Sequence, residues 1–212
     1  CAPLADIAEE ATHPVMKNRL YGYDVETVVA AAKVCADAHL EGGVLPILKH
    51  IPGYGRATVD SHMDLPRVDA PRAEVEAWDF APFAALTDIP MGMTAHIVFS
   101  DIDPAAPATT SAKMMQAIRK DIGFDGLLMT DDLTMEALSG TVAERAQASI
   151  AAGCDIVLHC NGDAAEMQAV ANASGDMTPA AIIRANRALA MRKTPANIDI
   201  PALEAELAAL IS

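Results

Sequence analysis

Five short apolar runs punctuate the chain: APLADI (2–7), GGVLPILKH (42–50), IPMGMTAHIVF (89–99), GLLMT (126–130) and DIVLHC (155–160). Each is nearly continuous in apolar character, which predicts strands buried on both faces. Between them, apolar residues recur at helical spacing. VETVVAAAKVCADAHL (25–40) meets a stop at Gly42-Gly43, TSAKMMQAIRKDIG (110–123) opens on Thr/Ser and closes at Gly123, and TVAERAQASIAAGC (141–154) closes just past Gly153. These are helix start and stop signals. From about Thr178 on, the Ala/Leu-rich pattern predicts two more helices packed against the outside of the fold.

Alternation of strand and helix implies βα units around a mainly parallel sheet. Five such units fall short of the eight that close a barrel, which takes about 250 residues. Two architectures stay open on pattern alone: an open doubly wound sheet, or the later part of a βα barrel. No G-x-G-x-x-G follows the first run and no Walker-type loop is present, so nucleotide-binding open sheets lose ground.

Composition narrows the function classes. Of 212 residues, 52% are hydrophobic, which suits a filled core, and fifteen basic against twenty-nine acidic residues give a net charge of −14. With no basic block to grip phosphates, nucleic acid is excluded as an expected partner. No apolar segment approaches the roughly 18 residues of a membrane span. The four cysteines, Cys1, Cys35, Cys154 and Cys160, form no C-x-x-C pair. That spacing argues against a zinc site or a disulfide framework and for a reducing compartment. The chain opens on CAPLADIAEE, without Met and without a signal-peptide pattern, and reads as a strand entered partway through a protein.

Chemistry in βα folds sits where strands end, and these runs end in Asp6, Lys49-His50, His96 and Asp131-Asp132, with His159 inside the last one. Charged residues are rarely buried unless paired or used, so the set is biased toward function. Each has a plainer alternative. Asp132, just before LTMEAL, reads equally as a helix cap, whereas Asp131 has no capping role of its own. His96 is as readily a satisfied core histidine, and His159 reads as structural; His13 and His39 look like surface or helix positions.

The sharpest feature is 49-KHIPGYGRATVDSH-62, an irregular Gly/Pro-rich loop ending in Asp60-Ser61-His62. An extended chain puts residues i and i+2 on one side, so the Asp60 carboxylate can reach the His62 imidazole. A carboxylate on one ring nitrogen fixes the tautomer and leaves the other nitrogen to donate and accept protons. The competing reading is an Asx-turn carrying a chance histidine.

With these residues in view, the chain resembles a known family. KHIPGYGRATVDSHMDLP is similar to the K-H-F-P-G-H-G…D-S-H…L-P signature of the glycoside hydrolase family 3 β-N-acetylglucosaminidases. GFDGLLMTDDLTMEAL resembles their G-F-x-G-[VIL]-[IL]-x-[ST]-D-D-L-S-M segment, and NRLYG (18–22) their R-S-F-G element. Arg19 precedes Lys49 by thirty residues (49 − 19) and His62 follows it by thirteen (62 − 49), spacings like the family's. MTAHI (93–97) and AQASIAAGCD (146–155) fit as well, so the likeness runs along the whole chain.

The resemblance implies a TIM-type (β/α)8 barrel, with roughly its last five βα units in residues 1–212 as a single catalytic domain. It implies a retaining exo-β-N-acetylglucosaminidase, a hydrolase with no metal and no cofactor, acting on muropeptide fragments of the cell wall in the cytoplasm. Asp131 would be the nucleophile, His62 the general acid/base and Asp60 its orienting partner. Arg19, Lys49 and His50 would hydrogen-bond sugar hydroxyls. Two positions depart from the signature: Ile51 stands for its Phe and Tyr54 for its second His. The family's earlier strands, with a D-x-E-G-G-R stretch, are expected before residue 1, so these residues alone are expected to be unstable or inactive. Alternatives are a non-catalytic remnant or sugar-binding module, a family 3 β-glucosidase, against which Asp60 and His62 count, and a phosphorylase.

Overall fold

A computed structural model of the chain describes residues 1–211. In chain order the elements are α1 (Pro14–Lys17), α2 (Val25–Glu41), β1 (Ile47–Ile51), β2 (Arg67–Val68), α3 (Arg72–Ala77), α4 (Ala81–Ala85), β3 (Met91–Thr94), β4 (Val98–Phe99), a 3-10 turn at Ala108–Thr110, α5 (Ala112–Lys120), β5 (Leu127–Asp132), α6 (Val142–Ala152), β6 (Ile156–Leu158), α7 (Ala164–Ser174), α8 (Pro179–Ala190) and α9 (Ile200–Leu210). The helices start where the sequence offers a side chain for their first N–H groups. The Asp24 carboxylate accepts from Thr27 N, Ser111 Oγ from Met114 N, and Thr141 and Glu144 close a reciprocal capping box on α6.

The main sheet is parallel, in the order β1-β3-β5-β6. Residues 2–5 run along the free side of β1 in the same direction. Leu4 pairs with Lys49, Ile47 N–H donates to Ala2 O at 2.7 Å and Ala5 N–H to Lys49 O at 2.7 Å. The segment predicted as the first strand therefore takes its place in the sheet but forms only an isolated bridge; Pro3 has no N–H to extend a ladder. Each strand lies beside the one before it, and the order never reverses. A doubly wound sheet must reverse at its switch point, so this winding is the barrel kind.

Three other expectations are corrected. The apolar run 89–99 does not form one strand. It leaves the main sheet after Thr94, and Val98–Phe99 pairs with Arg67–Val68 in a separate two-stranded parallel sheet. The break falls where the His96 side chain turns inward to bond Thr109 and the Asp132 carbonyl. Of the two C-terminal helices, α8 packs through Ala181 and Ala188, and its Arg184 bonds Asp125 and Asp155, both at 3.0 Å. Helix α9 buries none of its residues, despite its apolar sequence. Helices α1, α3, α4 and α7 were not anticipated; the first three have four to six residues, too short for a period to show.

One large core, with Leu48, Ile51, Phe83, Leu86, Met114, Ile118, Phe124 and Leu128 among its buried members, fills the space around the sheet. A smaller cluster of Leu133, Leu138, Ala146 and Val170 supports the segment that follows β5. No helix among the described residues is long and apolar enough to cross a membrane.

Candidate active site

The C-terminal ends of β1 and β5 carry Lys49-His50 and Asp131-Asp132, and the chain after residue 5 brings Asp6 beside them. A pocket with about 310 Å³ of empty space opens there, lined by Met16, Arg19, His50, Asp60, His62 and Asp131 among others. Five of the six site residues expected from sequence, from four separate segments, thus line one pocket: Arg19, His50, Asp60, His62 and Asp131. Lys49 lies next to His50 but is not among the lining residues.

Asp6 organises the wall. Its side chain is fully buried, and it accepts from His50 Nδ1 at 2.8 Å, from Tyr54 N–H at 2.7 Å and from the His50 backbone N–H at 3.2 Å. Because Nδ1–H donates to this carboxylate, Nε2 of His50 is turned outward, 3.9 Å from Asp131 Oδ2. Asp131 itself is mostly covered. Burial pushes its carboxyl up, but the charges of His50 and His96, the Asp132 N–H at 2.8 Å and Lys49 outweigh burial and hold it below the usual carboxylate range. His96 is pushed down by its own burial, so its share of that pull is small near neutral pH. Lys49 is likewise pushed down, first by burial and then by Arg19, and its ammonium makes no hydrogen bond among the described residues.

The loop from Pro52 to His62 departs from β1 by a path that demands glycine twice. Gly53 sits at φ +140 with Asp79 against it, and a Cβ on Gly55 would fall on the Ile7 carbonyl. Arg56 then pins the loop, bonding Asp79 at 2.7 Å and Glu74 at 2.8 Å, with Glu9 at 3.4 Å. Burial pushes the Asp79 carboxyl up to about 6 despite Arg56.

At the loop's far end Asp60 Oδ1 meets His62 Nδ1 at 2.7 Å. The expected contact is made, but not by an extended chain. Met63 and Asp64 N–H both donate to Asp60 O, and His62 N–H donates to Asp60 Oδ1 at 3.0 Å, so the dyad rides on a tight turn. The turn is the Asx-turn expected of the plainer reading, and it brings the two side chains into contact all the same. The His62 backbone N–H, with the His62 imidazole, outweighs slight burial and holds Asp60 below the usual carboxylate range. His62 is 64% exposed, and its Nε2 has no partner among the described residues.

The remaining strand-end residues resolve differently. His96 is 1% exposed, with Nδ1 bonded to Thr109 Oγ1 at 2.7 Å and Nε2 to the Asp132 carbonyl at 3.0 Å. Since a carbonyl only accepts, Nε2 carries the proton, and His96 is a satisfied core histidine that fixes the backbone beside Asp131. Asp132 caps a turn rather than a helix, accepting from Thr134 N and Oγ1 and from Cys160 N. His159 bonds Glu166 at 3.0 Å. Asp6 was visible as a strand-end acid, but no spacing rule links it to a residue 44 positions on; its role emerges only when residues 2–5 lie along β1. Tyr54 stood out only as a departure from a signature. No group of three or more candidate metal ligands occurs among the described residues.

Comparison with known proteins gives a consistent result. Residues 1–190 match the glycosyl hydrolase family 3 N terminal domain. A beta-hexosaminidase from Tolumonas auensis is 36% identical over 170 residues, covering 77% of this chain and 50% of that protein. One from Neisseria meningitidis serogroup C is 39% identical over 152 residues, covering 70% and 42%. Among solved structures, NagZ from Neisseria gonorrhoeae in complex with N-trifluoroacetyl-D-glucosamine superposes with a TM-score of 0.77 at 31% identity, over 97% of this chain and 58% of that one. A family 3 beta-N-acetylglucosaminidase from Paenibacillus sp. str. FPU-7 gives 0.79 at 29%, over 94% and 41%. The chain spans about half the length of the curated relatives it matches. With the family model matched over nine-tenths of its length and the strand-end acids and histidines gathered at one pocket, the chain belongs to glycosyl hydrolase family 3.

Proposed function

We propose that the protein is a retaining exo-β-N-acetylglucosaminidase that removes terminal β-linked N-acetylglucosamine. The observation that carries this reading is the placement of Asp131 and the Asp60–His62 dyad around one pocket. Asp131 is held ionised by its surroundings, as a nucleophile requires. In the first step its carboxylate oxygen forms a bond to the anomeric carbon while the glycosidic C–O bond breaks. The proton from His62 Nε2 goes to the leaving oxygen, and Asp60 stabilises the imidazolium before the step. In the second step water attacks the anomeric carbon, its proton returns to the neutral imidazole, and the Asp131 ester bond breaks.

Retaining glycosidases usually pair two carboxyl groups. A histidine in the acid role changes the charge balance: the imidazolium attracts the anionic Asp131 before the step, and the neutral imidazole left after it does not repel an anionic acceptor. Arg19, Lys49 and His50 grip sugar hydroxyls, and contacts that tighten on the distorted ring lower the barrier. Muropeptide fragments in cytoplasmic cell-wall recycling are the natural substrate on this reading, as the family resemblance implies; the likeness to a NagZ holding N-trifluoroacetyl-D-glucosamine supports the sugar alone.

The test is turnover of 4-nitrophenyl N-acetyl-β-glucosaminide by wild type and Asp131→Ala, with the product anomer followed by NMR. The expected result is β-anomer first, and loss of turnover in the variant with sugar binding retained. Unchanged turnover in Asp131→Ala, or α-anomer first, would overturn the mechanism.

A further inference from the structure

We propose that the Tyr54 hydroxyl is the positioning group that holds the Asp60–His62 dyad over the pocket. The inference rests on the catalytic reading above and adds a residue to it. Tyr54 is 4% exposed, and its hydroxyl lies between two backbone groups that flank Asp60 in sequence. Ser61 N–H donates to it at 2.9 Å, and it donates to Val59 O at 3.3 Å. Burial pushes the phenol up, so the hydroxyl keeps the proton that the Val59 bond needs.

The same residue touches the other half of the site. Its own N–H donates to Asp6 Oδ1 at 2.7 Å, and its ring centroid stands 5.7 Å from that of His50, tilted by 55°. One side chain therefore spans from the wall that faces Asp131 to the turn that carries His62. The turn has little else to locate it. Asp60 and His62 bond each other, and Met63 and Asp64 fold back on Asp60 O; these contacts shape the turn without placing it. The second strut is Ala137 N–H, which donates to Ser61 O at 3.2 Å from the segment following Asp131.

A phenylalanine would fill the same space, so core packing alone gives no reason for the hydroxyl. Its removal leaves the Ser61 N–H, in a residue only 6% exposed, with no partner. The turn then drifts, and the acid/base spends less time in line with the glycosidic oxygen. Misplacement of a catalytic group by about 1 Å lowers turnover far more than it weakens ground-state binding.

The experiment compares wild type with Tyr54→Phe, by amide hydrogen exchange over residues 55–63 and by steady-state kinetics on the chromogenic N-acetylglucosaminide. Expected are exchange at Ser61 faster by about tenfold or more, kcat lower by about tenfold with KM within about twofold, and an unchanged far-UV spectrum. Tyr54→Leu, which keeps apolar bulk without a hydroxyl, should reproduce the exchange change. Unaltered exchange in both variants, or faster exchange with unaltered kcat, overturns the proposal. If the wild type turns over no glycoside, the proposed activity falls, while the exchange result still upholds or overturns the clamp.

Discussion

Replacing Asp6 by alanine should be among the most damaging single changes in the chain. The carboxylate is fully buried and accepts from three donors: His50 Nδ1, Tyr54 N–H and His50 N–H. Alanine strands all three. Each buried donor left without a partner costs about 1–3 kcal/mol, and water can enter such a gap only partly, so about 3–6 kcal/mol is expected. That is a large fraction of the 5–15 kcal/mol that holds a typical domain. Asp6→Asn separates the parts. Its carbonyl can still accept from Tyr54 N–H, while its NH2 faces His50 and forces Nδ1 to become an acceptor. About 1–2 kcal/mol should go with the lost charge-assisted bond, and the Nε2 that faces Asp131 becomes an obligatory donor. Urea unfolding monitored by circular dichroism measures the first quantity, and kcat/KM of the folded Asn variant the second. A cost below about 1 kcal/mol for Asp6→Ala would refute the reasoning, because it would mean those donors are not dependent on the carboxylate.

Three further outcomes follow from the geometry. On the proposed mechanism Asp131 must be ionised to act, and its surroundings hold it below the usual carboxylate range, so its protonation should produce no acid limb of kcat/KM above that range; an Asp131-dependent limb near pH 6 would contradict this. The Asp79 value of about 6 lies above that of an unfolded carboxylate, so the folded state takes up a proton first as pH falls through 6. Relative to Asp79→Asn, the wild type should gain about 2 kcal/mol between pH 7 and pH 4.5, and a flat difference in urea unfolding would refute the shift. Leu128 is fully buried near the start of β5, and Leu128→Ala should cost about 2–5 kcal/mol, read as a lowered urea midpoint with unchanged slope.

Much of the fold was legible because buried parallel strands and capped helices leave local signatures. Ser111, Thr141 and Thr178 each stand where a helix begins, and four of the five apolar runs supply a main-sheet strand. What failed was less local. Nothing in IPMGMTAHIVF shows that its chain quits the sheet after Thr94, because the reason is a bond from His96 to a carbonyl 36 residues away. Helix α9 has the composition of a packed helix but buries none of its residues; propensity speaks of the helix, not of its neighbours. The site divides similarly. The Asp60–His62 contact is two residues long and could be read directly, though its turn geometry could not. Asp6 and His50 lie 44 residues apart, and only the register of Leu4 against Lys49 brings them together.

The one-way order of the sheet has a consequence in time. As a chain emerges from its N-terminus, each new strand docks on an edge already made: β3 on β1, β5 on β3, β6 on β5. Growth of this kind needs only loops of moderate length at every step, which keeps the entropy of closure small. The pocket follows a different schedule. Asp6, His50 and Tyr54 can be in place once β1 has met residues 2–5, long before Asp131 arrives on β5. In chain order the wall around Asp6 is thus complete before Asp131 is made, and that carboxylate enters a mould of donors already set.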